Sequence, residues 1–443
     1  MRVQSEELIK TTLFMVKTKF HLYYIIQVHS RKRRAVMIKG NAIVGQSGGP
    51  TAVINSSLAG VFKTARDNGI QKIYGMKNGL SGFIREEFVD LTDYIKSGLD
   101  IELLKRTPSS FLGSCRYKLP DYTTDSSVYE KIFSILKKYD IKYFFYIGGN
   151  DSMDSVAKLS AYADEIGSDI RFMGVPKTID NDLDKTDHTP GYGSASKYIA
   201  SVVKEIILDN RVYGTEGVAV VETMGRNAGW LAAASALAKT DDCAGPDLLC
   251  LPEVAFDYNW FYNRINEIRK DKKSMVIVVS EGIKTASGNY LCEENNEKRV
   301  RDAFGHASLG GTAMFLTHFL RTEMGIKTRE NILGSQQRSA SHIVSRTDIT
   351  EAFVAGGSAV QAALEGQSGK MVTFRRLSDD PYKIDVSLCN ASEVANVEKK
   401  IPDEWIDKTN GYVSQECINY IKPLIIGELT PFMVDGMPMH MHL

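Results

Sequence analysis

The sequence predicts an α/β fold with mainly parallel strands, and three observations carry that expectation. Short apolar runs alternate with helix-period segments from Asn41 onward, the runs stop at glycine or polar residues, and 443 residues at 43% hydrophobic composition suffice to bury a large core in two or three domains or lobes. "NAIVG" (41–45) reads as the first strand. "TAVINSSLAGVFKTA" (51–65) reads as the helix after it, with Ile54, Leu58, Val61, Phe62 and Ala65 on one face. "YFFYIGG" (143–149) repeats the strand, followed by a helix through Met153, Val156, Ala157 and Leu159. "IRFMGVP" (170–176), "GVAVVET" (217–223), "DLLCLPE" (247–253) and "MVIVVSEG" (275–282) are further strands. Such near-continuous apolar runs suit strands covered on both faces by helices. Open sheets of this kind take ligands at the carboxyl ends of their strands, so the residues directly after each run are the functional candidates.

Charge and cysteine usage narrow the classes. Lysine plus arginine and aspartate plus glutamate both total 54, so no global field draws the chain to nucleic acid or an anionic membrane, and any anion site is local. The six cysteines contain no CxxC pair, which argues against a zinc knuckle or a secreted disulfide framework and for reduced thiols in the cytoplasm. The apolar runs are strand-sized, far below the roughly 20 residues that span a bilayer. Residues 1–40 read as an amino-terminal extension of unknown role, because their basic cluster follows the apolar stretch and fits a secretory signal poorly; Met37 is a candidate start. The charged segment 287–306 reads as a solvated loop and helix start, and the two histidines of the terminal "MHMHL" read as incidental.

Chemistry concentrates after the strands. In "GQSGGPTAVINSS", Gly48 and Gly49 let the backbone approach a ligand, and free amides opening the next helix suit an anionic oxygen. The stretch lacks the Lys-Ser/Thr ending of a Walker A loop and is not GxGxxG. "IGGNDSMDS" places a second glycine pair before Asn150 and Asp151; a helix cap explains one polar residue there, whereas the pair points to a metal-phosphate site. In "PKTIDND", an extended backbone projects Thr178, Asp180 and Asp182 to one side and Lys177, Ile179 and Asn181 to the other. Two carboxylates and a hydroxyl then face one centre, which suits a kinase-like step: one carboxylate takes a hydroxyl proton, and the other helps hold a hard cation. "VVETMGR" ends with Met224, Gly225 and Arg226, an arginine fork able to grip a sugar phosphate; Glu253 suits sugar hydroxyls, and Arg329 and Arg338 add cations.

Together, "SGG", "FLGSCRYKL", "GGND", "PKTIDND", "VVETMGR", "PEV" and "LGSQQR", in that order from about Asn41 into the carboxyl-terminal region, resemble the phosphofructokinase family. The resemblance implies two Rossmann-like lobes with mainly parallel sheets. One is a donor-binding lobe of residues 41–190 plus about 338–390, the other a fructose 6-phosphate-binding lobe of 191–337 plus about 391–443. It implies phosphoryl transfer to the C1 hydroxyl of fructose 6-phosphate, with Asp180 as general base, Thr178 and Ile179 beside the acceptor, and Asp182 and Asn150 in the Mg2+ environment. Gly48 and Arg116 fall at donor positions. Met224, Gly225, Arg226, Glu253, Ser335 and Arg338 fall at sugar-phosphate positions, and Arg329 matches an arginine supplied across a subunit interface, which implies a homodimer or homotetramer. Three departures stand out: Asn150 replaces an aspartate, Gly217 replaces a second subunit-crossing arginine, and Ser335 replaces the usual histidine or tyrosine.

Two positions select the donor. ATP-dependent members carry glycines where this chain has Asp151 and Lys177. A carboxylate at 151 repels the α-phosphate of ATP, whereas an ammonium at 177 pairs with a terminal oxygen of pyrophosphate. The expected donor is therefore pyrophosphate, and the resemblance implies a reversible step serving glycolysis and gluconeogenesis. An ATP-dependent enzyme of the same fold and a non-catalytic sugar-phosphate-binding subunit are the competing readings.

Overall fold

The protein is described here from a computed structural model covering residues 38–212, 214–293 and 309–443. Residues 1–37 of the amino-terminal extension and 294–306 of the charged segment lie outside the described residues. In chain order the principal strands are β1 (Asn41–Gln46), β2 (Ile73–Met76), β3 (Phe88–Asp90), β4 (Ile141–Gly148), β5 (Arg171–Pro176), β6 (Gly217–Thr223), β7 (Leu248–Cys250), β8 (Ser274–Ser280), β9 (Thr328–Ile332), β10 (Lys370–Asp379) and β11 (Tyr382–Asn390). They build a seven-stranded sheet in the order β11-β10-β5-β4-β1-β2-β3 and a four-stranded sheet in the order β7-β8-β6-β9. The inner strands of the larger sheet pair in parallel, with antiparallel neighbours only at its edges, β11 beside β10 and β3 beside β2. The smaller sheet is parallel throughout.

Alternation along the strands explains the layers. In β4, Tyr143, Phe145 and Ile147 pack on one side with helices Ile54–Asp67 and Arg346–Leu364, while Phe144 and Tyr146 pack on the other with helices Ser127–Lys138 and Asn150–Glu165. The smaller sheet is covered likewise: Val221 and Val278 meet helix Tyr192–Arg211, and Val220 and Ile277 meet helices Tyr258–Arg269 and Thr312–Met324.

Register then positions function. Gln46 pairs with Ile147 and Gly148 with Pro176, so β1, β4 and β5 end side by side. In the other sheet Thr223 pairs with Ser280 and Glu222 with Ile332, so β6, β8 and β9 also end together. The first helix begins at Ile54, three residues later than its sequence suggests, because Thr51 Oγ1 accepts from the Val53 amide (3.2 Å) and holds 51–53 in a turn. The carboxyl-terminal tail returns to the larger sheet's side, where the Met441 amide donates to Thr107 Oγ1 at 2.9 Å.

Candidate active site

Three loops from the larger sheet form one wall of a cleft of about 530 Å³. After β1, Gly48 adopts φ 74° and donates its amide to the Cys115 carbonyl (3.2 Å), while Ser114 Oγ donates to the Gly48 carbonyl (2.6 Å). This pairing brings Arg116 to the glycine turn. It also departs from the expectation of free amides: the Gly48 N–H is spent on protein, and the turn stands apart from the helix that starts at Ile54. After β4, the helix Asn150–Glu165 opens at Gly149 with no side-chain cap, so capping does not account for Asn150 and Asp151, which both line the cleft. Asn150 Oδ1 accepts from the Asp151 amide at 3.2 Å.

After β5 the extended alternation stops at Pro176. Lys177 is 3% exposed; its amide donates to the Gly148 carbonyl, and its ammonium donates to the Gly49 carbonyl at 2.7 Å. A Cβ built on Gly48 would stand 3.2 Å from that ammonium, so the glycine makes room for the lysine. Thr178 Oγ1 accepts from the Asp180 amide (3.0 Å) and donates to Asp180 Oδ2 (3.2 Å), which fixes the carboxylate on its own loop. Strict alternation fails at Lys177 and Ile179, which join Thr178, Asp180 and Asp182 in lining the cleft. Asn181, at φ 53°, alone turns into the protein, where its amide donates to the Tyr420 hydroxyl and accepts from the Thr189 N–H.

The electrostatics are those of a desolvated acid–base cluster. Burial pushes Lys177 down to about 8, with Asp180 and Asp182 opposing. Both carboxylates keep an opening to the cleft but are otherwise surrounded by protein; burial raises each, and the charge of Asp180 raises Asp182 further. A cation close to them therefore gains from both.

The smaller sheet supplies the opposite wall. Met224 and Arg226 follow β6, and Arg338 reaches in from a turn after β9. Gly225 does not line the cleft; at φ 128° it shapes the turn, and its carbonyl accepts from the Ser280 hydroxyl. Glu253 is turned inward, accepting from the amides of Gly229 (2.9 and 3.1 Å) and Ile401 (3.2 Å), so in this structure its carboxylate braces two loops and does not line the cleft. Ser335 is exposed on the turn that precedes Arg338, outside the cleft. Arg329 lies on the outer strand β9 and pairs with Asp209 at 3.5 Å, also outside the cleft.

Sequence reasoning missed Glu281, Asn227 and Glu398, all lining the cleft. Glu281 follows β8 in "VVSEG", the strand-end signal used elsewhere; burial, then Asp180 and Glu222, push it up to about 7. Asn227 Nδ2 donates to Glu398 Oε1 at 2.7 Å, joining two loops at the rim. Among the described residues no three His, Cys, Asp or Glu side chains converge as a metal cage. Asp182 and Asn150 nevertheless offer hard oxygen donors to the cleft, the chemistry that suits a divalent cation keeping most of its ligands from substrate and water.

An acidic pair beside an ammonium, facing arginines across the carboxyl ends of two parallel sheets, is the equipment of an α/β phosphotransferase. The chain belongs to the phosphofructokinase family, whose sequence model matches residues 41–363. It is 40% identical over 406 residues to the pyrophosphate–fructose 6-phosphate 1-phosphotransferase of Halomonas elongata, covering 91% of this chain and 96% of the relative. Crystal structures of pyrophosphate-dependent phosphofructokinases from Nitrosospira multiformis (TM-score 0.81, 36% identity) and Marinobacter aquaeolei (TM-score 0.79, 38% identity) each cover 90% of this chain and 95% of their own.

Proposed function

We propose that this protein transfers a phosphoryl group reversibly between pyrophosphate and the C1 hydroxyl of fructose 6-phosphate, yielding fructose 1,6-bisphosphate and phosphate. The observation that carries this reading is the Lys177 ammonium, seated on the Gly49 carbonyl beside Gly48 and facing the Asp180 and Asp182 carboxylates. At that place a short diphosphate gains a cation, and Asp151 on the rim repels the longer phosphate chain of a nucleotide.

Each residue then has a task. Asp180, held by Thr178, accepts the proton of the attacking hydroxyl, and its raised pKa matches it better to that task at neutral pH. Arg226 and Arg338 hold the sugar phosphate, with Met224 and Ile179 shaping its place; Arg116 and Lys177 hold the donor. Asp182 and Asn150 would hold Mg2+, which when bound neutralises charge on the phosphoryl oxygens. Glu253 reaches the sugar only if the Gly229 and Ile401 loops move, so Glu281 is the nearer acceptor for a sugar hydroxyl. The larger sheet's half acts as donor lobe and the smaller one's as sugar lobe, in a cytoplasmic homo-oligomer that needs neither nucleic acid nor membrane. No helix among the described residues is long and apolar enough to cross a membrane.

Steady-state assay of the purified protein with Mg2+-pyrophosphate and with Mg2+-ATP tests the donor. Turnover with pyrophosphate should dominate; a higher kcat/KM with ATP overturns the assignment.

A further inference from the structure

Behind the reactive loop lies a buried polar cluster that the chemistry above does not use. His188 is 1% exposed, and its two ring nitrogens each stand 2.7 Å from a carboxylate, Nδ1 from Asp187 and Nε2 from Glu351 on helix Arg346–Leu364. Ionised carboxylates only accept, so both ring nitrogens must donate, and the ring is an imidazolium. It stacks on Phe374 of β10, with centroids 5.1 Å apart. The far oxygen of Glu351 accepts from the Tyr382 hydroxyl (2.9 Å), and Asp187 also accepts from Arg376 (2.9 and 3.1 Å).

The cluster reaches the reactive loop by two short routes. The Asp187 carbonyl accepts from the Tyr420 hydroxyl (2.6 Å), which accepts from Asn181, the residue between Asp180 and Asp182. Thr189, next to His188, donates its hydroxyl to the Thr178 carbonyl (2.8 Å) and its amide to Asn181 Oδ1 (3.1 Å). We propose that His188, held as an imidazolium between Asp187 and Glu351, is a positioning residue that sets the Lys177–Asp182 loop in its reactive geometry. The proposal rests on the phosphoryl-transfer reading of the cleft.

Its charge has a pH signature. Burial alone would lower His188, but Glu351 and Asp187 outweigh it and raise the group to about 9, above the ordinary 6.5. The stabilisation it supplies is therefore full below about 6.5 and is lost as pH rises through about 9. Lys399, which donates to the Thr186 and Asp187 carbonyls, and Lys177 are both lowered by burial to about 8 and work in the opposite sense, so the difference between wild type and variant is the informative quantity. Burial keeps Tyr382 and Tyr420 above this range, and Asp187 stays ionised, held down to about 2 by His188 and Arg376 against burial.

The test uses the full chain as wild type, His188→Phe and Glu351→Gln, each checked for folding by circular dichroism. In His188→Phe, kcat should fall by ~100-fold, the loss expected for a slightly misplaced reacting group, with the KM for fructose 6-phosphate within about threefold. The gap in Tm between wild type and His188→Phe should close between pH 7 and pH 10. Glu351→Gln keeps the ring but removes one carboxylate, so kcat should fall less and its decline on the basic side should move to lower pH. If His188→Phe does not fold, Glu351→Gln decides alone. A folded variant with kcat near wild type, or a loss that leaves the pH profiles unmoved, overturns the proposal. Absence of turnover in the wild type with pyrophosphate would instead overturn the reading of the cleft.

Discussion

Asp180 and Lys177 show how much a single position discloses through its place in the chain. Both belong to a run of charged residues directly after an apolar strand, and that placement alone marks a ligand site. Side-chain direction is legible only through the chemistry: strict alternation points Lys177 away, its pairing with pyrophosphate requires it to turn towards the site, and the end of the strand at Pro176 frees it to do so. Glu253 shows a related limit. A carboxylate at a strand end looks available, yet two backbone amides claim it. His188 left little signal: Asp187 adjoins it in sequence, but Glu351, the second carboxylate that closes the cluster, is 163 residues away. At this scale the sharpest prediction concerns Asp180→Asn, which keeps the bond to Thr178 possible but cannot take a proton. Its kcat should fall roughly 100- to 10,000-fold with little change in Tm, the range for losing a positioned base; near-normal turnover would remove Asp180 from that role.

Elements were legible where one strong period ran unbroken. β1, β4, β5, β6, β7 and β8 all coincide with apolar runs, because strands buried on both faces are lined mainly by apolar side chains; the buried polar residues Gln46, Glu222, Thr223 and Ser280 fall at their carboxyl ends. The β10–β11 hairpin is not legible as apolar runs, since charged residues such as Arg375, Arg376 and Lys383 break the pattern where the sheet reaches its edge. Not legible either is the contact between helices Ile54–Asp67 and Arg346–Leu364, which rests on glycine and places Glu351 behind the reactive loop. A Cβ on Gly356 would come within 2.0 Å of the Ser57 carbonyl, and one on Gly60 equally close to the Phe353 carbonyl. No rotamer relieves a clash with backbone, so the helices must part. Gly356→Val should cost about 2–3 kcal/mol, as overpacking does, and lower the Tm by several degrees. An unchanged melting curve would mean the two helices slide without penalty.

Over the whole molecule, the cleft draws its walls from both sheets, yet one cation that the resemblance assigns to it sits elsewhere. Arg329 lies on β9, the edge strand of the smaller sheet, with Ile332 54% exposed on the same strand, and its Asp209 partner is also at the surface. An open parallel edge with an exposed apolar residue favours a second copy, and twofold symmetry would then give each partner the same arginine. Complementation separates this arrangement from a purely local ion pair. Asp180→Asn and Arg329→Ala should each be nearly inactive as homo-oligomers. If the arginine crosses between subunits, a mixed oligomer contains one site with both the intact aspartate and the intact arginine. Mixing the two variants under conditions that exchange subunits should therefore restore roughly a quarter of wild-type activity, the yield of random pairing in a twofold dimer. If Arg329 serves its own chain's cleft, no site in the mixture is complete and activity stays at the level of the separate variants; if it serves none, Arg329→Ala is active before any mixing. Light scattering before and after exchange verifies that the oligomer has reassorted, so that a failure to recover activity speaks against the crossing itself.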